Sequence, residues 1–443
     1  MYSINKLIKI LKISNNPETV LEGAIRSSII NVFARGIGYL RNVAIAVILG
    51  FNYQTDGFFM ALALVGIFLI FADVFDSIGV PQLVKARMKS EEEFKKLAGL
   101  LFSFTLLLSL SMSLLALVLM ELILKIPAGF STQAIEATKT SYILLIPYIF
   151  SSFIFHHFGA VLRSQRRFTQ YFIGEFFISV ANFIAVLMGL LFTKDYRTLS
   201  VSLSIAYIVG CIYMLYVGRE YIHLKFYLEE GTKKLILQFF QLSILYGVLH
   251  LYILVDRAFA SYLGEKAVSA LAYGLLIASI PRAILRFEHM AVTSLSESNG
   301  SIEKLNFYLK KLFLFSIPFM IFFFALPWLP VKLLFGYGAF SRVDIDLTST
   351  ALQFYALSIP FMFFWPVIYR VFQIKERLFG VGFVAILGVI ANFVLNYALV
   401  FHFKMGLMGI CLGTLGAYIV ICSIGYLMLI REVNYASLSL VRK

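Results

Sequence analysis

Charge is what this sequence is shortest of. Asp, Glu, Lys and Arg make up 14% of its 443 residues, where soluble domains carry roughly a quarter. An ordinary water-soluble fold is thereby excluded. Cysteine is scarce as well: Cys211, Cys411 and Cys422 each fall within an apolar run, so there is neither a disulfide framework nor a thiolate metal spacing. The sequence shows no nucleophile–base constellation, no glycine-rich phosphate loop and no metal-ligand cluster, and no outer loop exceeds about 20 residues. A membrane glycan enzyme, which needs acids in an external loop or domain, has no support beyond being an alternative. No catalytic residue is assigned, and no cofactor is expected beyond coupling to Na+ or H+.

What is abundant is hydrocarbon. Hydrophobic residues reach 60%, and runs long enough to cross about 30 Å of bilayer at 1.5 Å per residue recur throughout. They lie at 27–50, 57–80, 97–124, 141–162, 172–193, 199–218, 235–257, 267–287, 312–331, 350–370, 379–401 and 406–430. The net charge of +14 does not point to nucleic acid, because most of the 38 basic residues fall in alternate loops. Lys85, Arg87, Lys89, Lys95 and Lys96 form one such group, and Arg163, Arg166 and Arg167 another. The positive-inside rule puts these loops, and both termini, in the cytoplasm. At the start, Ile4, Leu7, Ile8 and Leu11 alternate with Lys6, Lys9 and Lys12 at helical spacing, which suits a helix lying on the membrane surface and interrupts any signal-peptide core.

An internal repeat sets the expected architecture. "AIAVILG" at 44–50 matches "AFASYLG" at 258–264, "YILLIP" at 142–147 matches "YALSIP" at 355–360, and "VANF" at 180–183 matches "IANF" at 390–393. Three matches in order, displaced by roughly 210 residues, point to duplication of a six-span unit. An even number of spans returns the chain to its starting side, so the repeats insert in parallel, and transporters so built place substrate where the repeats meet. The expectation is an all-α polytopic membrane protein: about twelve transmembrane helices in two six-helix parallel repeats around a central cavity. Its parts are an amphipathic cytoplasmic segment 1–16, an N-terminal lobe 17–218, a cytoplasmic linker 219–234, a C-terminal lobe 235–431 and a tail 432–443.

Charges inside the spans are candidate functional residues, since each costs at least about 2.5 to 3.5 kcal/mol in hydrocarbon. Arg41 lies about 20 Å along its helix from Ser27, too deep to snorkel easily, and Arg35 shares a face with Asn42. Guanidinium forks suit phosphate oxygens, so these arginines are candidates for an anionic head group. The alternative is a structural ion pair with Asp56 or Asp73. Asp256 and Arg257 read either as an interfacial salt bridge or, with Asn392, Asn396 and Thr414 supplying further oxygens, as a hard-cation site around Asp256. Asp73, Asp76, Arg166 and Arg167 are candidate cytoplasmic gate residues. Glu175 is a candidate partner of the "RSQRR" loop, and His156 and His157 read mainly as packing.

The stretch "ARGIGYLRNVAIAVILGFNYQTDGFFMA" resembles the opening signature of the MurJ (MviN) lipid II flippase family. "VDRAFASYLGEKAVSALAYG", "LLFGYGAFS" with "YALSIP", and "NFVLNYALV" with "MGLMGICLGT" resemble later parts of the same family, so the likeness spans both halves. It implies the MOP exporter fold and export of a polyprenyl-pyrophosphate-linked saccharide across the bacterial cytoplasmic (inner) membrane; the oligomeric state is not fixed by the sequence, a monomer being the expectation. It gives Arg35, Arg41 and Asp56 a head-group role, and places Asp256, Asn392, Asn396 and Thr414 where some members are thought to hold sodium, with Asn396 where an acidic residue can occur. Two departures stand out. Leu69 and Ile70 occupy the family's Leu-Leu-Arg-Arg segment, and Leu275 and Leu276 its Asp-Arg-Leu. A related lipid-linked oligosaccharide is therefore an alternative to lipid II, and a cation-coupled MATE-like exporter of small amphiphiles is the alternative within transport.

Overall fold

The computed structural model describes residues 18, 20–224, 237, 239, 243, 247, 250–285, 295, 298–375 and 377–441, with side chains for all of these except 20–25, 73, 75–78, 284–285, 378 and 432–441. Among the described residues the secondary structure is helical throughout, with no strand. Nine helices are long and apolar enough to cross a membrane, or ten if Arg342–Ala356 and Ile359–Ile374, bent by 48°, form one span. These fall on ten of the expected spans. The other two, at 235–257 and 267–287, are only partly described: 250–260 is helical, and Ala267–Ala278 is a shorter apolar helix. The surface segment 1–16 and most of the 219–234 linker lie outside the described residues.

By contact the chain divides into two compact units. The first takes residues up to Leu49, Leu64–Lys125 and Glu136–Tyr246; the second takes Gly50–Ala63, Ile126–Ile135 and Gly247–Lys443. Segments 50–63 and 126–135, assigned to the N-terminal lobe by the sequence, thus group with the second unit. The physical reason is hydrogen bonding: Asp56 accepts from Lys266 and Ser269, and the Gly129 N–H donates to Ser261 Oγ.

The first unit is built on α1 (Val20–Leu49), most of α2 (Tyr53–Lys89), α3 (Glu91–Val118), α4 (Thr132–Leu144), α5 (Ile146–Ser164), α6 (Phe168–Thr193) and α7 (Arg197–Val217). Gly50, at φ +61°, ends α1 in the left-handed conformation that glycine tolerates. Asn52 then starts α2, its Oδ1 accepting from the N–H groups of Gln54 and Thr55 at 2.9 and 3.0 Å. Ser90 caps α3, followed by Glu91, Glu92 and Glu93 at the positive end of the helix dipole. Phe102, Phe155, Phe158, Tyr171, Ile178 and Met214 form a buried core joining α3, α5, α6 and α7. The opposite faces stay apolar and exposed, as at Leu107, Leu110 and Leu114, which is the surface a bilayer covers.

The second unit adds α8 (Ala267–Ala278), α9 (Ile302–Ala325), α10 (Trp328–Phe335), α11 (Arg342–Ala356), α12 (Ile359–Ile374), α13 (Leu378–Tyr397) and α14 (Gly406–Val441). Ser341 and Asp344 close a capping box at the start of α11. The break before α12 coincides with Pro360, which disfavours a continuous helix at the residue before it. Tyr273 of α8 is the aromatic hub, 5.0 Å from Phe51, 5.6 Å from Phe59 and 4.9 Å from Phe335 between ring centroids. The pairing pattern of the first unit recurs here. Contacts of α3 with α5, α5 with α7 and α6 with α7 are answered by α9 with α12, α12 with α14 and α13 with α14.

Candidate functional site

A buried polar cluster of the second unit surrounds Asp256. Asn392 and Asn396, one turn apart on α13, donate Nδ2 to Asp256 Oδ1 at 3.1 and 2.8 Å. Thr414 of α14 and Tyr355 of α11 donate hydroxyls to Oδ2 at 2.6 and 3.2 Å. All five side chains are buried. The structure therefore brings together the four residues singled out as a candidate cation site and adds Tyr355. The sequence carried one signal for Tyr355: it opens the repeat stretch "YALSIP".

Four donors surround one carboxylate, yet Oδ1 of Asn392 and Oδ1 of Asn396 are buried without a hydrogen-bond partner. Such orphaned acceptors are costly in hydrocarbon. A hard cation fits them, because rotating the two amides would turn their oxygens, with the Asp256 carboxylate and the Thr414 hydroxyl, onto one ion. The close approach of α14 is made by Gly413, where a Cβ would collide with the Asn396 amide oxygen.

The salt bridge expected between Asp256 and Arg257 is not formed. Arg257 instead donates to the Phe59 carbonyl and lies over the Phe59 ring, 5.9 Å from its centroid. Neighbours in sequence on a helix point about 100° apart, so one can join the cluster while the other faces elsewhere.

In the first unit, Arg35 and Arg41 are partly buried on α1. Arg41 Nη2 donates to Asn42 Oδ1 at 2.8 Å, and Arg35 Nε to Asn31 Oδ1 at 3.3 Å. Both asparagines are buried.

Asp56, expected to share a head-group role with these arginines, hydrogen-bonds to the start of α8. Its Oδ1 accepts from the Ser269 N–H at 2.8 Å and the Ser269 hydroxyl at 2.6 Å, and its Oδ2 from the Lys266 N–H at 2.5 Å. A carboxylate there satisfies orphan donors and the dipole at the N-terminus of α8. Alongside it, the Tyr53 N–H donates to Glu265 at 2.9 Å and Lys266 Nζ pairs with Asp344 at 3.0 Å. Composition and spacing gave no hint of this staple, whose partners come from three distant segments.

Of the candidate gate residues, Arg167 is buried and donates to Gln170 at 2.5 Å and to Glu220 at 3.1 Å. Arg166 adopts φ +61° and its carbonyl accepts from the Glu18 N–H at 3.0 Å. Glu18 in turn accepts from the Thr169 N–H at 3.0 Å and pairs with Arg26 at 3.3 Å, capping α6 from a distant part of the chain. The Asp73 and Asp76 side chains lie outside the described residues. Glu175 accepts from the Tyr171 hydroxyl at 2.6 Å rather than from the arginine loop. His157 is buried against Phe102 and Phe158.

The comparisons with known proteins agree with one another. A model of the family described as "Lipid II flippase MurJ" matches residues 45–443. A Thermotoga maritima protein named "Probable lipid II flippase MurJ" is 26% identical over 397 residues, covering 87% of this chain and 80% of that protein. The Thermosipho africanus "Lipid II flippase MurJ" is 25% identical over 419 residues, 89% of this chain and 83% of its own. Among solved structures, a lipid II flippase MurJ in an inward closed conformation superposes with TM-score 0.76 at 22% identity, covering 91% of this chain and 87% of that one. An inward-facing MATE family transporter of the MOP superfamily gives TM-score 0.67 at 15% identity, covering 98% of each chain. At these identities the structures establish the fold, shared across the MOP superfamily, while the family match covers most of the sequence: the chain belongs to the lipid II flippase MurJ family.

Proposed function

We propose that this protein moves a polyprenyl-pyrophosphate-linked saccharide from the cytoplasmic to the outer leaflet of the bacterial inner membrane, by alternating access and without enzyme chemistry. The observation that carries the reading is the family match over residues 45–443. The saccharide is lipid II or a related lipid-linked oligosaccharide for cell-wall or surface-glycan synthesis. Leu69, Ile70, Leu275 and Leu276, which stand in segments where the family signature carries arginines, keep the related substrate as the alternative to lipid II. The protein acts as a monomer with both termini cytoplasmic, a topology supported by the basic loops.

Within this reading Arg41, assisted by Arg35, holds the pyrophosphate. A lipid carrier presents charges that must shed water inside the membrane, and a guanidinium contact to phosphate returns about 1.5 to 3 kcal/mol. The Asp256 cluster takes a sodium ion as the coupling cation, supported by the two orphaned amide oxygens. A bound ion there would supply fixed positive charge to a buried carboxylate, and Asp256, Asn392, Asn396 and Thr414 would hold it.

The test is complementation. A strain depleted of its own lipid II flippase should grow when this chain is expressed, and the Arg41→Ala form should fail at equal abundance, since removing a charge from a span eases insertion. Growth with Arg41→Ala at wild-type rate would remove Arg41 from the head group. Failure of the wild-type chain to complement, alongside rescue of a strain lacking a surface-polysaccharide flippase, would assign the related substrate.

A further inference from the structure

Four hydrogen bonds reach the Asp256 carboxyl group, and a bound ion would treat them differently. Asn392 and Asn396 meet it through Nδ2, but as ligands both amides must turn their oxygens inward, which takes those donors off Oδ1. The Thr414 hydroxyl can offer an ion its lone pair only when its proton points elsewhere. A second acceptor already stands in reach, the Ile410 carbonyl at 3.2 Å, one turn earlier on α14. Tyr355 is the remaining donor, and ion binding does not require it to leave.

Tyr355 is also a fixed arm. It is 1% exposed and stands next to last in α11. Its carbonyl accepts from the Ser358 N–H at 2.9 Å in the turn before α12. One helical turn earlier, the Ala351 carbonyl accepts from Cys411 Sγ of α14 at 3.6 Å. Burial alone does not demand an acid as the phenol's partner: Tyr142, which opens the matching repeat stretch, gives its hydroxyl to the Ala116 carbonyl at 2.9 Å. In the empty cluster Thr414 holds Asp256 Oδ2 at 2.6 Å and Tyr355 stands at 3.2 Å. Thr414 is the closer partner there. Once it turns to Ile410, Oδ2 is left to Tyr355, whose bond can shorten.

We propose that Tyr355 is a positioning residue for the coupling cation: its hydroxyl holds Asp256 Oδ2, so that the carboxylate stays aimed at the ion after the other three donors have turned to serve it. The inference rests on the cation reading of the Asp256 cluster. Removing a hydrogen bond that orients a metal-ligating carboxylate costs about ten- to a hundredfold in affinity. Because the phenol's contact is the longest of the four without an ion, its effect falls mainly on the loaded state, which separates positioning from packing.

The experiment melts the full chain in lipid nanodiscs against rising sodium, with potassium making up the ionic strength, and reads the half-saturating sodium concentration. Tyr355→Phe removes only the hydroxyl. It should raise that concentration about tenfold or more while the sodium-free midpoint stays near wild type. A lowered sodium-free midpoint with unchanged half-saturation would make Tyr355 merely structural and overturn the proposal, as would wild-type values of both. A wild-type chain with no sodium shift at all would instead remove the cation reading itself. Should Tyr355→Phe fail to accumulate, 3-fluorotyrosine placed at position 355 keeps the hydroxyl and reports on it: its fluorine resonance should move with sodium but not with potassium, and should stay still in Asp256→Ala. A resonance indifferent to sodium, in a chain whose midpoint responds to sodium, would refute the positioning role.

Discussion

Thr414 donates its hydroxyl to Asp256 Oδ2 at 2.6 Å across 158 residues of chain. The contact ties α14 to the helical stretch 250–260 through a carboxylate that also gathers α11 and α13. A buried carboxyl group so enclosed is either held by neutral donors alone or shared with a cation, and the two cases respond differently to salt.

Sodium should stabilise the purified wild-type protein more than potassium at equal ionic strength, because a ligand bound only to the folded state adds about 2.7 kcal/mol at a hundred times its Kd. In Asp256→Ala the two salts should give one melting curve. A wild-type melting temperature identical in both salts would leave only the hydrogen-bonded cluster.

Gly413→Ala should disturb the same site from its back, since the added Cβ meets the Asn396 amide. Overpacking of this kind costs about 1 to 3 kcal/mol. Thermal melting should show a lower midpoint together with a reduced sodium shift; a midpoint and shift both equal to wild type would contradict the packing described.

Asp56→Ala should destabilise the fold by about 2 kcal/mol, because it strips the first turn of α8 of a charged acceptor. Asp56→Asn, retaining one oxygen, should lose less. The check is the thermal midpoint of each variant in detergent, and equal midpoints for wild type and Asp56→Ala would show that the staple carries no stability.

Arg41→Lys should restore growth only partly in the complementation assay, since an ammonium keeps the charge but loses the two-pronged fork. Full rescue would mean that position 41 supplies charge alone.

Single cysteines at Asn52, Lys139 and Arg342 should react with an impermeant thiol reagent added outside intact cells. Protection there, with labelling only after lysis, would invert the topology that the basic loops support.

Much was legible in the sequence because hydrocarbon imposes a period and a length. A chain that must satisfy its backbone inside a bilayer has helices as its only economical form, so apolar runs of sufficient length located the nine or ten membrane-length helices among the described residues, and the matches at 44–50, 142–147 and 180–183 pointed to the repeat. The convergence of Asp256, Asn392, Asn396 and Thr414 was also readable, since each is a polar residue stranded in an apolar run and must find another. What only the tertiary structure decided is which partner each polar group takes. Asp56 turned to α8 because unsatisfied N–H groups at a helix N-terminus attract a carboxylate. Arg257 turned from Asp256 to a carbonyl of α2. Helical periodicity assigns a residue to a face, whereas the partner depends on which helix packs against that face. That choice belongs to side-chain packing between segments distant in the chain, and no local pattern encodes it.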